Sequence, residues 1–323
     1  MRIASVIESV GDARSFETRY GSRVAIIGGG MLGTTLSLRY RQAGRVVTLF
    51  DAAERSERRG HAAIASTDRH LLNLLSELDL ADDVRWGDSS SFGVRFGALA
   101  GGRSRIIESL RERARAIDVD IRLGTPVQEI RSDSSGFTVH SGTETGEFNQ
   151  VILAVPASVA VQLAPTLPEP EHDLLAAVDY VGILTVSFVL ERRTGLRYIS
   201  RVARGGDVFT VLDPSALDPK GDSRVVVYVS RPVSRLHDLF GAGDRQVIEH
   251  FARALPGRSH IVSARVIRSP HAFARNRLTS FASSIPGLSI LNAAHMGNGR
   301  NHLDRTAALA MNVFRTLCAE RIS

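Results

Sequence analysis

The sequence predicts an α/β protein in two domains, a nucleotide-binding parallel sheet covered by a second, mixed sheet. Three observations predict it. Residues 22–60, "SRVAIIGGGMLGTTLSLRYRQAGRVVTLFDAAERSERRG", read as strand, glycine turn, helix, strand and acid. A short, continuously apolar run returns at "QVILAVP", as expected of a strand buried on both faces. Beyond it, residues 158–283 hold several strand-like segments and one amphipathic helix.

The glycine turn comes first. Val24, Ala25, Ile26 and Ile27 form a buried strand, and Gly28, Gly30 and Gly33 then satisfy G-x-G-x-x-G. The first glycine permits a tight turn, the second lets backbone approach a pyrophosphate, and the third lets helix pack closely on strand. A helix from about Met31 to Ala43 aims its N-terminal amides at the phosphates, and Gly44 stands where it stops. "RVVTLFD" is the second strand of a Rossmann-like unit. It ends in Asp51, whose carboxylate can accept from ribose hydroxyls and repels a 2′-phosphate. The ligand is a dinucleotide, FAD or NAD.

Composition narrows the class. The 323 residues are 43% hydrophobic, enough for more than one domain. No run approaches the roughly 18 to 20 apolar residues that span a bilayer. "MRIASVIESVGDARSFETRYGS" carries acids and no sustained apolar stretch, so no secretory signal is expected and the cytoplasm is the expected location. Cys318 is the single cysteine, which excludes an internal disulfide and a cysteine metal cage, and the histidines lack metal-ligand spacing. No metal is expected. The net charge is +6, and Lys220 is the only lysine. In "GGRSRIIESLRERARAIDVD", Arg103, Arg105, Arg111, Arg113 and Arg115 alternate with Glu108 and Glu112, which predicts a solvated helix face. Basic residues are not interleaved with aromatics, so no nucleic-acid partner is expected.

Downstream, "STDRHLLNLLSELDLADDVRW" predicts a helix with Leu71, Leu74, Leu75 and Leu78 on one face and Asp68 near its start. "GFTVHSG" and "GEFNQVILAVP" predict strands ending at Pro156. In the second domain, "YVGILTVSFVLERR", "DVFTVLDPS", "SRVVVYVSR" and "ARVIRSPHAFA" are strand-like, and "GDRQVIEHFARALPG" is an amphipathic helix.

The glycine unit, "GGRSRIIESLRERA", "IRLGTPVQEI", "QVILAVPASVAVQL" and "IPGLSILNAAHMGNGRNHLDRTAALAMNVF" occur in an order that resembles the FAD-dependent amine oxidoreductases. That superfamily includes monoamine oxidases, protoporphyrinogen oxidase, phytoene desaturases and UDP-galactopyranose mutase. The resemblance spans most of residues 22–320. It implies FAD as cofactor, a discontinuous FAD-binding domain over 22–60, 97–157 and 284–321, a substrate domain over 61–96 and 158–283, and an N-terminal arm over 1–21. It places Gly28, Gly30 and Gly33 at the pyrophosphate, Asp51 at the ribose, Arg55 and Arg59 in the basic segment after it, and the Val127 backbone at the adenine. Ala294, His295, Met296 and Asn301 come to the flavin ring. His295 and His271 are the candidate catalytic residues, each able to move a proton near neutral pH.

Three departures from the family pattern stand out. Glu57, Arg58, Arg59 and Gly60 replace a glycine pair followed by arginine, Asn292 to His295 replace a glycine-aspartate, and the segment from Trp86 to Gly97 is short. The short segment leaves room for a partner chain, or a second copy of this one, to complete the cleft. The lysine that many amine oxidases keep near the flavin has no counterpart, since Lys220 lies in a turn. The activity implied is two-electron oxidation or desaturation of a small organic substrate by hydride transfer to flavin N5, in a specialised biosynthetic pathway. Two other readings stay open: a redox-neutral enzyme of the sugar-nucleotide mutase type, and a non-catalytic scaffold that binds a nucleotide or a partner.

Overall fold

Residues 22–54, 63–89, 93–218, 224–234, 237–257, 260–280, 282–296 and 302–319 are described by the computed structural model. The chain opens with β1 (Arg23–Ile27), α1 (Met31–Gln42), β2 (Val46–Asp51), β3 (Ala63–Ala65), α2 (Arg69–Glu77), β4 (Val84–Ser89), β5 (Arg95–Leu99) and α3 (Gly102–Ala116). It continues through β6 (Asp120–Leu123), β7 (Val127–Asp133), β8 (Gly136–Ser141), β9 (Glu144–Phe148), β10 (Gln150–Leu153), α4 (Ala157–Leu163), α5 (Glu169–Ala176), β11 (Tyr180–Leu190), β12 (Ile199–Arg204) and β13 (Asp207–Leu212). A 3₁₀ turn (Pro214–Leu217) leads to β14 (Val225–Ser234), α6 (Asp238–Gly241), α7 (Asp244–Ala252), β15 (Ile261–Ala274), β16 (Leu288–Ile290), α8 (Ala293–Met296) and α9 (His302–Ala319).

The apolar runs of β1, β2, β10 and β16 are buried because they form a parallel sheet, ordered β16-β10-β1-β2-β6, covered on both faces. On one face Val24, Ile26, Val47 and Leu49 pack with Leu36, Leu75, Ile106 and Leu110 of α1, α2 and α3, and with Val313 of α9. On the other, Ala25, Ile27, Val151 and Leu153 meet Ala157, Ala160, Val139 and Phe148. The chain leaves β1 towards β2, whereas β10 lies on β1's other side. The carboxyl end of β1 is therefore the topological switch point at which such sheets bind ligands.

The second sheet, ordered β12-β13-β14-β11-β15, is antiparallel throughout, a more regular arrangement than the mixed sheet expected. Along β11 buried and half-buried residues alternate. Leu184, Val186 and Phe188 pack against Val247 and Phe251 of α7, which leaves Ile183, Thr185 and Ser187 on the opposite face. The pairing of β15 with β11 slips between Ser269 and Phe273, where Pro270 supplies no ladder donor.

A small sheet, β3-β5-β4, links the two parts. Tyr198 Oη donates to the Gly97 carbonyl at 2.9 Å, and Arg85 pairs with Asp218. The boundary expected at 96/97 falls inside β5. The leucine helix is α2, but the Asp68 carboxylate turns back to accept from the Ala65 amide at 2.8 Å. The α2 end is capped instead from α9, where Asp304 accepts from the Leu71 amide at 2.8 Å. The arm over 1–21, the "ERRG" segment at 57–60 and Lys220 lie outside the described residues.

Candidate active site

At the end of β1 the three glycines have three different surroundings. Gly28 takes φ +110°, and a Cβ there would meet the Ala154 carbonyl oxygen. Gly33 sits so close to the Gly28 carbonyl that no side chain fits. Gly30 is exposed, and a Cβ added to it would meet nothing within 4 Å. Gly30 caps α1 with no side-chain hydrogen bond, so no side chain competes for the first-turn amides. Thr34 Oγ1 pins the turn from inside, donating to the carbonyls of Gly29 (3.1 Å) and Gly30 (2.9 Å). The fingerprint is thus closed at its first and third glycines and open at its second.

Asp51 ends β2 beside this turn. Its carboxylate abuts the Gly29 α-carbon, where a Cβ would collide with it. Its Oδ1 accepts from the Ala53 amide at 3.3 Å, and its Oδ2 accepts from Arg111 Nη2 at 2.6 Å. The same nitrogen donates to the Gly29 carbonyl at 2.8 Å. Arg111 is therefore not part of the solvated face expected for α3. It is buried while Arg105, Arg113 and Arg115 are exposed. The signal was in the sequence: Ile107, Leu110, Arg111 and Ala114 recur at i, i+3, i+4 and i+7, so Arg111 occupies the apolar stripe. Val127 begins β7, half-buried and paired with Ser141.

The far pole is the segment after β16. Asn292 is buried, its Oδ1 accepts from the Ala294 amide at 2.9 Å, and its Nδ2 finds no acceptor among the described residues. Ala294 is fully buried. His295 Nδ1 accepts from the Asn292 amide at 3.2 Å, which leaves the proton on Nε2 to donate to the Ser280 carbonyl at 2.8 Å. Burial holds its pKa below the usual histidine range. A ring with both nitrogens committed to backbone ties the loop together, and has no lone pair to offer a substrate. Met296 is held through its sulfur, which accepts from Thr306 Oγ1 at 3.2 Å, and through its carbonyl, which accepts from Arg305 Nη1 at 2.8 Å.

His271 lies in the slipped part of β15, edge-on to Tyr180 with ring centres 5.0 Å apart, and Nε2 is 3.5 Å from Ser158 Oγ. His302 has no counterpart in the sequence reading. It opens α9, hydrogen-bonds the Ala272 backbone and lies edge-on to Phe273 at 5.9 Å. Burial first, then the charges of Arg103 and Arg305, push its pKa down to about 4. Nothing local marks it, because its partners lie some 30 residues upstream on another element. Arg55, Arg59 and Asn301 lie outside the described residues.

Beside Met296 opens a groove of about 550 Å³ lined by Arg275, Arg277, Arg305, Asn276, His295 and Asn312, in which Arg275 pairs with Asp179 at 3.1 Å and Arg305 with the Met296 carbonyl. Among the described residues, no group of three His, Cys, Asp or Glu side chains could hold a metal ion, and no helix is long and apolar enough to cross a membrane.

Residues 90–284 match the family model described as flavin containing amine oxidoreductase. The chain belongs to that family. It is an FAD-dependent oxidoreductase. Its fold is similar to that of a protein provisionally described as protoporphyrinogen oxidase, from Exiguobacterium sp. 255-15 (TM-score 0.70, 13% identity, 93% of this chain and 99% of that one). A redesigned putrescine oxidase is similar too (0.68, 15%, 93% and 99%), as is the Diels-Alderase of the pyrroindomycin biosynthetic pathway (0.63, 17%, 93% and 66%). At these identities the likeness is one of fold. No curated protein matches the chain. The residues present fit FAD: the open cradle at Gly30, the uncapped amides of α1 and the acid at the end of β2 are the donors and acceptors an adenosine diphosphate needs.

Proposed function

We propose that this chain oxidises or desaturates a small organic substrate bearing an anionic group, in a cleft between the parallel sheet and the antiparallel sheet. The arginine groove carries this reading. Arg275, Arg277 and Arg305 line one cavity with His295 and Met296, in the segment that the family resemblance brings to the flavin. The volume lies within the usual range for small-molecule sites. A guanidinium recognises carboxylate or phosphate through two parallel hydrogen bonds, so the groove selects such a group and fixes its orientation.

FAD, when bound, would supply the two-electron acceptor for this oxidation. The chain's own residues supply binding and proton handling. Arg277, exposed on the loop after β15, meets the anionic group first. His295 holds the loop floor through Ser280 and Asn292. His271, on β15 beside Ser158 and Tyr180, is the histidine assigned to move the substrate proton. The Gly30 cradle and Asp51 bind the adenosine diphosphate end. The redox-neutral reading rests on the surplus of arginine, and the scaffold reading on the charged residues that replace the glycine pair and on the short segment after Trp86; the family match favours the oxidoreductase.

The test is the visible spectrum of the FAD-loaded protein, followed by anaerobic bleaching with pairs of amines or alcohols that differ only as free acid and neutral ester. Bleaching by the acids, weakened in Arg277→Gln, supports the reading. Equal bleaching by acid and ester would remove the anionic requirement, and a protein that retains no FAD would remove the mechanism.

A further inference from the structure

We infer that Arg111 is a positioning residue for ribose recognition, holding Asp51 so that its carboxylate faces the adenosine ribose of FAD. Three features of the pair support this. First, the two side chains are unequally buried: Arg111 is 6% exposed and Asp51 18%. The cation lies behind and the carboxylate opens outward, at the switch point where the parallel sheet binds its ligand.

Second, Arg111 Nη2 bridges two groups that the ribose site needs in register, the Gly29 carbonyl at 2.8 Å and Asp51 Oδ2 at 2.6 Å. Gly29 has no Cβ, and the Asp51 carboxylate occupies the space a Cβ would take. With Oδ2 drawn towards Arg111, Oδ1 carries, among the described residues, the 3.3 Å bond from the Ala53 amide. A carboxylate has about four acceptor sites, so capacity remains for ribose hydroxyls.

Third, the pair makes sense only as a unit. An acid packed against a glycine turn with no counter-charge loses hydration without return, and rotates to recover it. Arg111 also has a buried Nε without an acceptor among the described residues, a cost that packing alone would avoid by using leucine at this stripe position. An arginine retained there at that cost is explained by what its other nitrogen holds.

The experiment measures competition of ADP and 2′,3′-dideoxy-ADP against FAD rebinding to the full-length deflavinated protein, for wild type, Arg111→Met, Arg111→Lys and Asp51→Asn. The wild type should prefer ADP by about tenfold or more, the size of one or two hydrogen bonds to a charged acceptor. Arg111→Met should bring the preference to within about twofold while leaving dideoxy-ADP affinity nearly unchanged. Arg111→Lys should restore part of it, and Asp51→Asn in the Arg111→Met background should change nothing further. The inference is overturned if the wild type shows no preference, if folded Arg111→Met keeps it, or if both nucleotides weaken by the same factor. Should Arg111→Met fail to fold, Arg111→Lys and Asp51→Asn decide alone: an equal loss for both nucleotides in either one overturns the inference.

Discussion

The glycine turn and the segment from Asn292 to Thr306 are built in different ways. At the turn the contacts are close in sequence or strand order and the governing ones are steric, Gly28 against Ala154 and Gly33 against Gly28, with Thr34 hydrogen-bonded to the Gly29 and Gly30 carbonyls behind them. At the far segment the contacts are exchangeable hydrogen bonds to other elements: His295 to Ser280, His302 to Ala272, Asp304 to Leu71. A steric design tolerates no added atom. A hydrogen-bonded design tolerates atoms but depends on protonation and on distant partners. The two regions should therefore fail under different challenges.

The largest effects belong to the turn. Gly28→Ala should cost about 3 kcal/mol or more in chemical denaturation, because the new Cβ meets backbone at a positive φ. Gly30→Ala sharpens the contrast. Its Cβ meets open space, so stability should change by a few tenths of a kcal/mol. FAD affinity, read by flavin fluorescence, should nonetheless fall about tenfold, because the methyl stands where backbone must approach the pyrophosphate. If Gly30→Ala unfolds the protein, or leaves FAD binding unchanged, the division of roles among the glycines is wrong.

His302 comes next and challenges the other region through pH. Its folded pKa lies near 4, below the ordinary value of 6.5. The neutral ring's contribution is therefore complete above about pH 6.5 and is lost as pH falls towards 4, up to about 3 kcal/mol. The measurement is stability against pH for wild type minus His302→Gln. A difference curve that declines between those pH values fits the burial described. A flat one means that the ring is solvated.

These contrasts explain what could be read from residues alone. The strand-turn-helix-strand unit was legible because its requirements act within about 30 residues and each glycine answers to one local constraint. Asp51 was legible by its place at the end of β2, whereas its partner was not, because the alternation of Arg and Glu along α3 suggested a solvated face and hid one arginine within the apolar stripe. The helix ends were close: Ala43 caps α1, its amide donating to the Arg39 carbonyl and the Gly44 amide to the Arg41 carbonyl, one residue past the last helical position. His295 was singled out as chemically able, yet its bond to the Ser280 carbonyl, fifteen residues upstream, arises from a return of the chain that no spacing announces. His302 escaped for the same reason.

His295 and His271 can be separated directly. His295→Ala removes two hydrogen bonds to backbone and should cost about 2 kcal/mol of stability, with the substrate pH profile unchanged. His271→Ala, which loses the contacts to Ser158 and Tyr180 among others, should cost about 1 kcal/mol or more and lower turnover at least a hundredfold. The reverse pattern, a stable His295→Ala protein without turnover, would return the proton role to His295.

The smallest effect sharpens the comparison within one helix. Arg113 and Arg111 both lie on α3 and both pair with an aspartate, Arg113 with Asp79 and Arg111 with Asp51. Close approach is common to both pairs, so distance does not distinguish them. Exposure does: the Arg113 and Asp79 side chains are 44% and 85% exposed, so water and salt screen their attraction, and two flexible side chains lose freedom in forming it. Arg113→Ala should therefore change stability by no more than about 0.5 kcal/mol, less still in high salt, with no change in FAD affinity. Arg111→Met removes a cation whose partner has little water to fall back on, and its effect should persist in salt. If the two substitutions proved equal, burial would not be what sets these ion pairs apart, and Arg111 would be one more arginine of a solvated helix.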